Sequence, residues 1–288
     1  MREPLTIEHD GLLLHGTSHT GPARGPVGVL FLNSGTLPRS SRGDLYVRLA
    51  DSLAERGFPC FRVDLPGLGD SQGEAPPEYI DFYKLVQEGR YAPSVTAIAR
   101  ELRRRHKLAG LVLLGICGGA QTSIFAACRK DAEAGIAGLV LLDLLFFLFQ
   151  DRGPGTAPPQ TAPAKARARL RDWVLRQRWE PLATSVYRRL KRLSKRTRAG
   201  ELPADTNRPL LDGLAGLLEG GLPALLITAH PPTQEPPAFD YIGYLAGRAG
   251  GRLTHVDIPG TTHSFVENEG PEAVLTAVSG WLERSAHA

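Results

Sequence analysis

Between Leu111 and Thr122 the chain reads LVLLGICGGAQT, an apolar run that ends in Gly115-Ile-Cys117-Gly-Gly119 and passes directly into small and polar residues. An apolar run bounded in this way predicts a strand buried on both faces, and the residues after it open a helix. The reversal between them must therefore be made within Gly115 to Gly119. Small residues two places before and two after the central position are what such a turn tolerates, and the turn exposes the side chain at its apex, the arrangement of a nucleophile elbow. Here that side chain is a thiol. A thiolate is the more reactive nucleophile, and an acylated cysteine is itself a thioester that stays activated toward a second acceptor. The competing reading of Cys117 is a small apolar filler at a strand end, since free cysteines are commonly buried.

The rest of the chain supplies elements for such a unit to pack against. Leu5 to Glu8 and Leu12 to His15 predict a hairpin around Asp10-Gly11. Strands are expected at Val27 to Leu32, Phe58 to Asp64, Ala109 to Leu114, Ile136 to Leu142, Ala224 to Thr228 and Arg252 to Ile258. Helical spacing covers Asp44 to Glu55, Ala92 to His106, Ala120 to Ala132 and Pro271 to Ser285. Strands alternating with helices imply the α/β class, a mostly parallel sheet covered on both faces. Residues 148–221 break the alternation. They begin rich in Pro, Ala and Gly, continue into arginine-rich helical sequence, and carry 15 Lys+Arg against 7 Asp+Glu, whereas the whole chain is only +4. The expected organisation is a core of residues 1–147 and 222–288 with a helical basic lid at 148–221. Such a lid is either a solvated helical surface or a means of drawing in an acidic substrate, carrier or membrane surface. Trp173, Trp179 and Tyr187 interleave with its basic residues, but no nucleic-acid motif accompanies them, and no nucleic-acid partner is expected.

Cysteine usage points to a reducing setting. Cys60, Cys117 and Cys128 are odd in number, and two of them sit in apolar stretches, so a disulfide framework is not expected and a cytoplasmic location is. The residues from Met1 to Glu8 do not resemble a signal peptide, and the apolar run Ile136 to Phe149 is interrupted by Asp143 and too short to span a bilayer. Neither metal-ligand spacing nor a phosphate-cradling glycine motif leading to a lysine is present, so no metal or other cofactor is expected.

Four segments together resemble the α/β-hydrolase superfamily over nearly the whole chain. They are Asn33-Ser-Gly-Thr36 after the third strand, Asp64-Leu-Pro-Gly-Leu-Gly-Asp-Ser71 after the fourth, Gly115 to Gly119 after the fifth, and Gly260-Thr-Thr-His263-Ser-Phe265 near the C-terminus. The chain is similar in particular to hydrolases associated with bacterial exosortase systems, which share the Asp-x-x-Gly-x-Gly-Asp-Ser loop and a basic lid. Those generally resemble serine enzymes, so Cys117 is a departure.

The resemblance implies an α/β-hydrolase fold with a lid and a set of site residues. His263 would be the general base, since it follows a strand and a Pro-Gly turn and imidazole titrates near neutral pH. The oxyanion hole would use the backbone N–H of Gly118, after the nucleophile, and of Gly35, with Ser34 as the neighbouring candidate. The acid is open among three residues. Its usual place, after the strand Ala224 to Thr228, holds Ala229-His-Pro-Pro-Thr233 and no carboxylate, and Glu235 and Asp240 arrive late. Asp143 instead ends the strand Gly138 to Asp143, where some members such as haloalkane dehalogenases place the orienting acid. A carboxylate there needs a partner, and a histidine N–H would supply one. Asp64, Asp70 and Ser71 read as loop structure, and His230, at a strand end, as a bystander near the pocket.

The expected function is acyl transfer, by a hydrolase or an acyltransferase, from an ester or thioester through an acyl-Cys117 intermediate. The partner is a small-molecule acyl substrate, free or carrier-bound. Polyester synthases resemble this elbow and favour a thioester. The alternative is a non-catalytic ligand-binding protein on the same scaffold, with Cys117 as a relic; the missing acid at the usual position keeps it open.

Overall fold

The structure is a computed structural model that describes residues 1–22, 25–148, 201–230 and 239–286. Its chain divides into two units, residues 1–149 with 205–288 and residues 150–204. The first unit is built on β1 (Arg2–His9), β2 (Leu12–His19), β3 (Val27–Leu32), α1 (Leu45–Glu55), β4 (Cys60–Val63), α2 (Tyr79–Gln87), α3 (Ala92–His106), β5 (Gly110–Ile116), α4 (Gly118–Cys128) and β6 (Ile136–Leu142). It continues with α5 (Arg208–Glu219), β7 (Ala224–His230), α6 (Tyr241–Ala246), β8 (Leu253–Pro259) and α7 (Gly270–Ala286). The strands form one 8-stranded sheet in the order β1-β2-β4-β3-β5-β6-β7-β8. The hairpin β1–β2 and the pair β2–β4 are antiparallel, and every later pairing is parallel.

This is the mostly parallel sheet expected from the alternation, and burial explains why its strands read as continuous apolar runs. All of β5 and all but the first residue of β3 are buried, because helices cover both faces. α1 presents Leu45, Leu49 and Leu53 on one stripe and packs with α7, while α2, α3 and α5 pack against α4 as a second group. After β4 the chain crosses back over β3 to start β5. The carboxyl ends of β3 and β5 therefore lie side by side with their connections diverging, the switch point at which open α/β sheets bind ligands.

Several boundaries differ from the sequence expectation for local reasons. β2 runs to His19 because it pairs with both β1 and β4. α4 starts at Gly118, since Cys117 alone makes the turn from β5, and it ends at Cys128, short of the expected Ala132, with Lys130 at φ 51°. α2 and α6 carried no clear signal. The expected basic lid falls largely on residues outside the described ones, as do Trp173, Trp179 and Tyr187. Of its C-terminal part, α5 belongs to the first unit, where Leu210, Leu211, Leu214 and Leu218 are buried. The chain leaves and rejoins this unit at a paired stem, in which Leu148 N donates to Asp205 O and Asn207 N to Phe146 O, each at 2.7 Å.

One buried carboxylate ties the loops after β3 and β4 together. Asp64 is fully buried and accepts from Asn33 Nδ2 at 2.8 Å, Arg39 N at 2.6 Å, Arg39 Nη1 at 2.5 Å and Asp70 N at 3.2 Å. Asn33 completes the tie by donating to Leu37 O and accepting from Leu65 N, both at 2.9 Å. Gly69 is required beside it, because its φ is +52° and a Cβ there would stand 2.2 Å from the Asp64 carboxylate. Ser71 Oγ donates to Asp64 O at 2.6 Å, so Asp64, Asp70 and Ser71 all serve as loop structure.

Asp64→Ala is expected to destabilise the fold by about 2–4 kcal/mol, because it leaves the buried Asn33 amide and the Arg39 and Asp70 N–H groups without their acceptor and the Arg39 guanidinium with only its exposed partner, Asp70. Asp70→Ala removes only the exposed partner of Arg39 and should cost under about 1 kcal/mol. Urea unfolding midpoints of the two variants check the contrast.

Candidate active site

Cys117 sits at the apex between β5 and α4 with φ 53° and ψ −112°, a conformation that costs a non-glycine residue on the order of 1–3 kcal/mol. The surrounding packing holds it there. A Cβ on Gly115 would stand 2.2 Å from the carbonyl carbon of Gly119, and a Cβ on Gly119 would stand 2.7 Å from Asn33 O, so the positions two before and two after Cys117 have no room for a side chain. Cys117 N donates to Leu142 O at 3.0 Å, and the fully buried Tyr46 hydroxyl accepts from Ile116 N at 2.8 Å. The thiol itself is nearly covered, at 4% exposure, and faces a cleft of about 370 Å³ that it shares with His263.

His263 lies in the loop after β8. Glu267 braces that loop on both sides of the histidine, accepting from Thr262 Oγ1 at 2.7 Å and Ser264 Oγ at 3.2 Å. Phe265 is fully buried with φ 54° and anchors the loop's inner side. The imidazole Nδ1 donates to Asp143 Oδ2, and Asp143 Oδ1 accepts from Ala229 N at 3.3 Å. Asp143 has φ 44° at the end of β6, and its own N–H donates to Ile227 O at 2.7 Å, which turns its carboxylate across the end of β7. Of the other acids, Asp240 caps α6 by accepting from Gly243 N at 2.8 Å. Glu235 lies outside the described residues.

The electrostatics follow from these contacts. The pKa of His263 is raised from 6.5 to about 10, chiefly by the hydrogen bond to Asp143 and next by that to Cys117, with burial opposing both. The contacts thus favour the charged form of the ring. Burial pushes the thiols of Cys60 and Cys128 up, and all three cysteines are free.

Gly35 and Gly118 are brought together at the switch point. Gly35 has φ +62°, and a Cβ on Gly118 would lie 3.6 Å from both Gly35 N and Gly35 Cα. Ser34 lines the cleft, and its carbonyl accepts from Leu37 N at 3.2 Å. Two residues at the site were not singled out from sequence. Glu267 is one. The other is Tyr83 of α2, whose Oη lies 3.5 Å from Cys117 Sγ, within hydrogen-bonding distance for sulfur. Its spacing with Tyr79, Phe82 and Val86 reads as an ordinary apolar helix face, and only the tertiary fold reveals which atom its hydroxyl meets. Among the described residues no group of three His, Cys, Asp or Glu side chains converges as a metal site.

Sequence and structure comparisons give one fold. The profile described as the Alpha/beta hydrolase family matches residues 12–277. A thermophilic esterase from Thermogutta terrifontis superposes with a TM-score of 0.55 at 19% identity, over 99% of each chain. The thioesterase domain from the curacin biosynthetic pathway gives 0.56 at 16% identity, over 98% of this chain and 99% of the other. An alpha/beta hydrolase, GrgF, from Penicillium sp. sh18 gives 0.58 at 16% identity over the whole of both chains. At these identities the likeness is one of fold. No curated protein sequence matches the chain.

The His263 ring is expected to titrate in the folded protein near 10 and, in Asp143→Asn, closer to its ordinary value of 6.5. The raised value stabilises the fold fully below about 6.5, and that contribution declines as pH rises from there through about 10. NMR titration of the imidazole resonance, with stability measured over the same range, checks both. An imidazole in the parent protein that titrates near its ordinary value would refute the assignment.

Proposed function

The chain belongs to the Alpha/beta hydrolase family, and from that premise we propose that it is an acyl-transfer enzyme, acting on an ester or thioester through an acyl-Cys117 intermediate. The observation that carries this reading is a thiol at the elbow in one cleft with an imidazole whose second nitrogen is held by Asp143. A ring that is already protonated at neutral pH is poorly placed to deprotonate a hydroxyl, but it is the natural counter-ion of a thiolate. A thiol gives up its proton far more readily than a hydroxyl, so Cys117 suits such a partner better than a serine would.

In this reading Sγ attacks the acyl carbonyl, the C–S bond forms, and the carbonyl π pair moves onto oxygen. The N–H groups of Gly118 and Gly35 stabilise that charge, with Ser34 beside them. As the tetrahedral intermediate collapses, the bond to the leaving alkoxide or thiolate breaks and the leaving group takes the proton from His263 Nε2. The ring, now neutral, accepts a proton from water or another acceptor that attacks the thioester and releases Cys117. Asp143 fixes the ring's orientation and stabilises its charged form. Asp143 is favoured over Asp240 because the latter's carboxylate is engaged by its own helix.

The cleft also bears on substrate. At about 370 Å³ it is at the small end for ligand sites, and Ser41, Arg42, Thr262 and Ser264 give it a polar rim. Its size suits a short acyl group better than a long alkyl chain.

Incubation with p-nitrophenyl esters and acyl-thioesters, read by intact mass, should trap one acyl group on Cys117. Cys117→Ala should trap none, and Cys117→Ser should react at least about 100-fold more slowly, because a hydroxyl is far less acidic than a thiol. Iodoacetamide at neutral pH should label Cys117 ahead of Cys60 and Cys128. Asp143→Asn should lower kcat by more than Asp240→Asn does. Full activity in Cys117→Ala would remove the reading, and uniform inertness of all three thiols would favour a ligand-binding protein on this scaffold.

A further inference from the structure

We propose that the Tyr83 hydroxyl is a third donor of the oxyanion hole, a catalytic group that faces the Cys117 sulfur in the resting protein and turns to the carbonyl oxygen during attack. The proposal rests on the reading of Cys117 as nucleophile. Its first support is position: Tyr83 Oη is 3.5 Å from Sγ, the atom that would form the new bond. The second is its relation to the two backbone amides. A Cβ on Gly35 would stand 2.5 Å from this same oxygen, so the hydroxyl lies directly over Gly35, and a Cβ on Gly118 would lie 3.6 Å from the N and Cα of Gly35. One O–H and two N–H groups are thus gathered beside a single sulfur, where the carbonyl oxygen of a bound acyl group must come to rest.

The hydroxyl is aimed by packing. Tyr83 is buried, and its ring is held against Tyr79 at 4.5 Å and edge-on to Phe82 at 5.5 Å between centroids. Rotation about the C–O bond is the motion needed to exchange a sulfur acceptor for an oxygen acceptor. Burial first, and then the charge of Cys117, push the phenol's pKa upward, so Tyr83 donates a hydrogen bond without giving up its proton. The electron balance is unchanged by its participation. The S–C bond forms as the π pair moves to oxygen, three donors share that charge, and the pair returns when the leaving group departs with the proton from His263. Glycine at position 35 then has two purposes, a positive φ and clearance for the hydroxyl.

The test is Tyr83→Phe, which keeps the ring and removes the donor. Two reactions of Cys117 are compared: acylation by p-nitrophenyl acetate, which passes through an oxyanion, and alkylation by iodoacetamide, which displaces iodide at a tetrahedral carbon and forms none. Acylation should slow by about 100-fold, in kcat more than in KM, while alkylation stays within about threefold of the parent rate. Equal slowing of both reactions would mean that Tyr83 merely packs the site, and would overturn the proposal. Unchanged acylation would overturn it too, while leaving Cys117 as nucleophile. Absence of any acyl group on Cys117 in the parent protein would remove both readings together. Should Tyr83→Phe fail to fold, Tyr83→Met, which also lacks the donor and leaves both backbone amides untouched, gives the same contrast.

Discussion

The close approach of three backbones at the switch point is the constraint on which the site depends. β3, β5 and the first turn of α4 meet there so tightly that Gly119 has the carbonyl oxygens of Leu32 and Asn33 within 2.8 Å of where its Cβ would be. That contact fixes the direction of α4, and α4 fixes the apex residue in a backbone conformation it would not choose in isolation. The loop beginning at Asn33 is held from the opposite side by Asp64, so the amides at Gly35 and Gly118 are set by two independent restraints. The Cys117 thiol and the amides of Gly35 and Gly118 are thus positioned by backbone packing.

The histidine side of the site is organised differently. His263 sits half-exposed on a loop, and its placement depends on side-chain contacts: Glu267 across the turn, Phe265 beneath it, and Asp143 on the imidazole. The acid comes from the end of β6, one strand nearer the sheet's centre than the end of β7. Reaching His263 from there requires the positive φ at Asp143 and the brace from Ala229 N. The site therefore joins a half set by backbone packing to a half whose geometry is set by hydrogen bonds.

The sequence was most legible where backbone geometry dictates residue type. The elbow needs small residues at fixed offsets and the parallel strands must be apolar throughout, so Val27–Leu32 and Ile136–Leu142 could be bounded without a structure, as could the amphipathic helix Ala92–His106. Asp143 could be singled out because a carboxylate at the end of an apolar strand demands a partner. Contacts made across the fold were less visible. Tyr83 and Glu267 have no local signature, since a tyrosine on an apolar face and a glutamate in a loop are ordinary, and α6 is too short to show periodicity. The four-donor environment of Asp64 was likewise hidden behind an unremarkable turn composition.

The stem that joins Phe146–Leu148 to Asp205–Asn207 has a further meaning. Its backbone hydrogen bonds, with Phe146 stacked on Tyr241 at 4.8 Å, close the first unit's chain path before residues 150–204 begin. The sheet and its helices therefore experience that whole stretch as a loop between two adjacent anchor points. The entropy of closing such a loop grows only with the logarithm of its length. Changes of length within it should therefore cost the folding of the first unit little, so this stretch and the sheet can vary under separate selection.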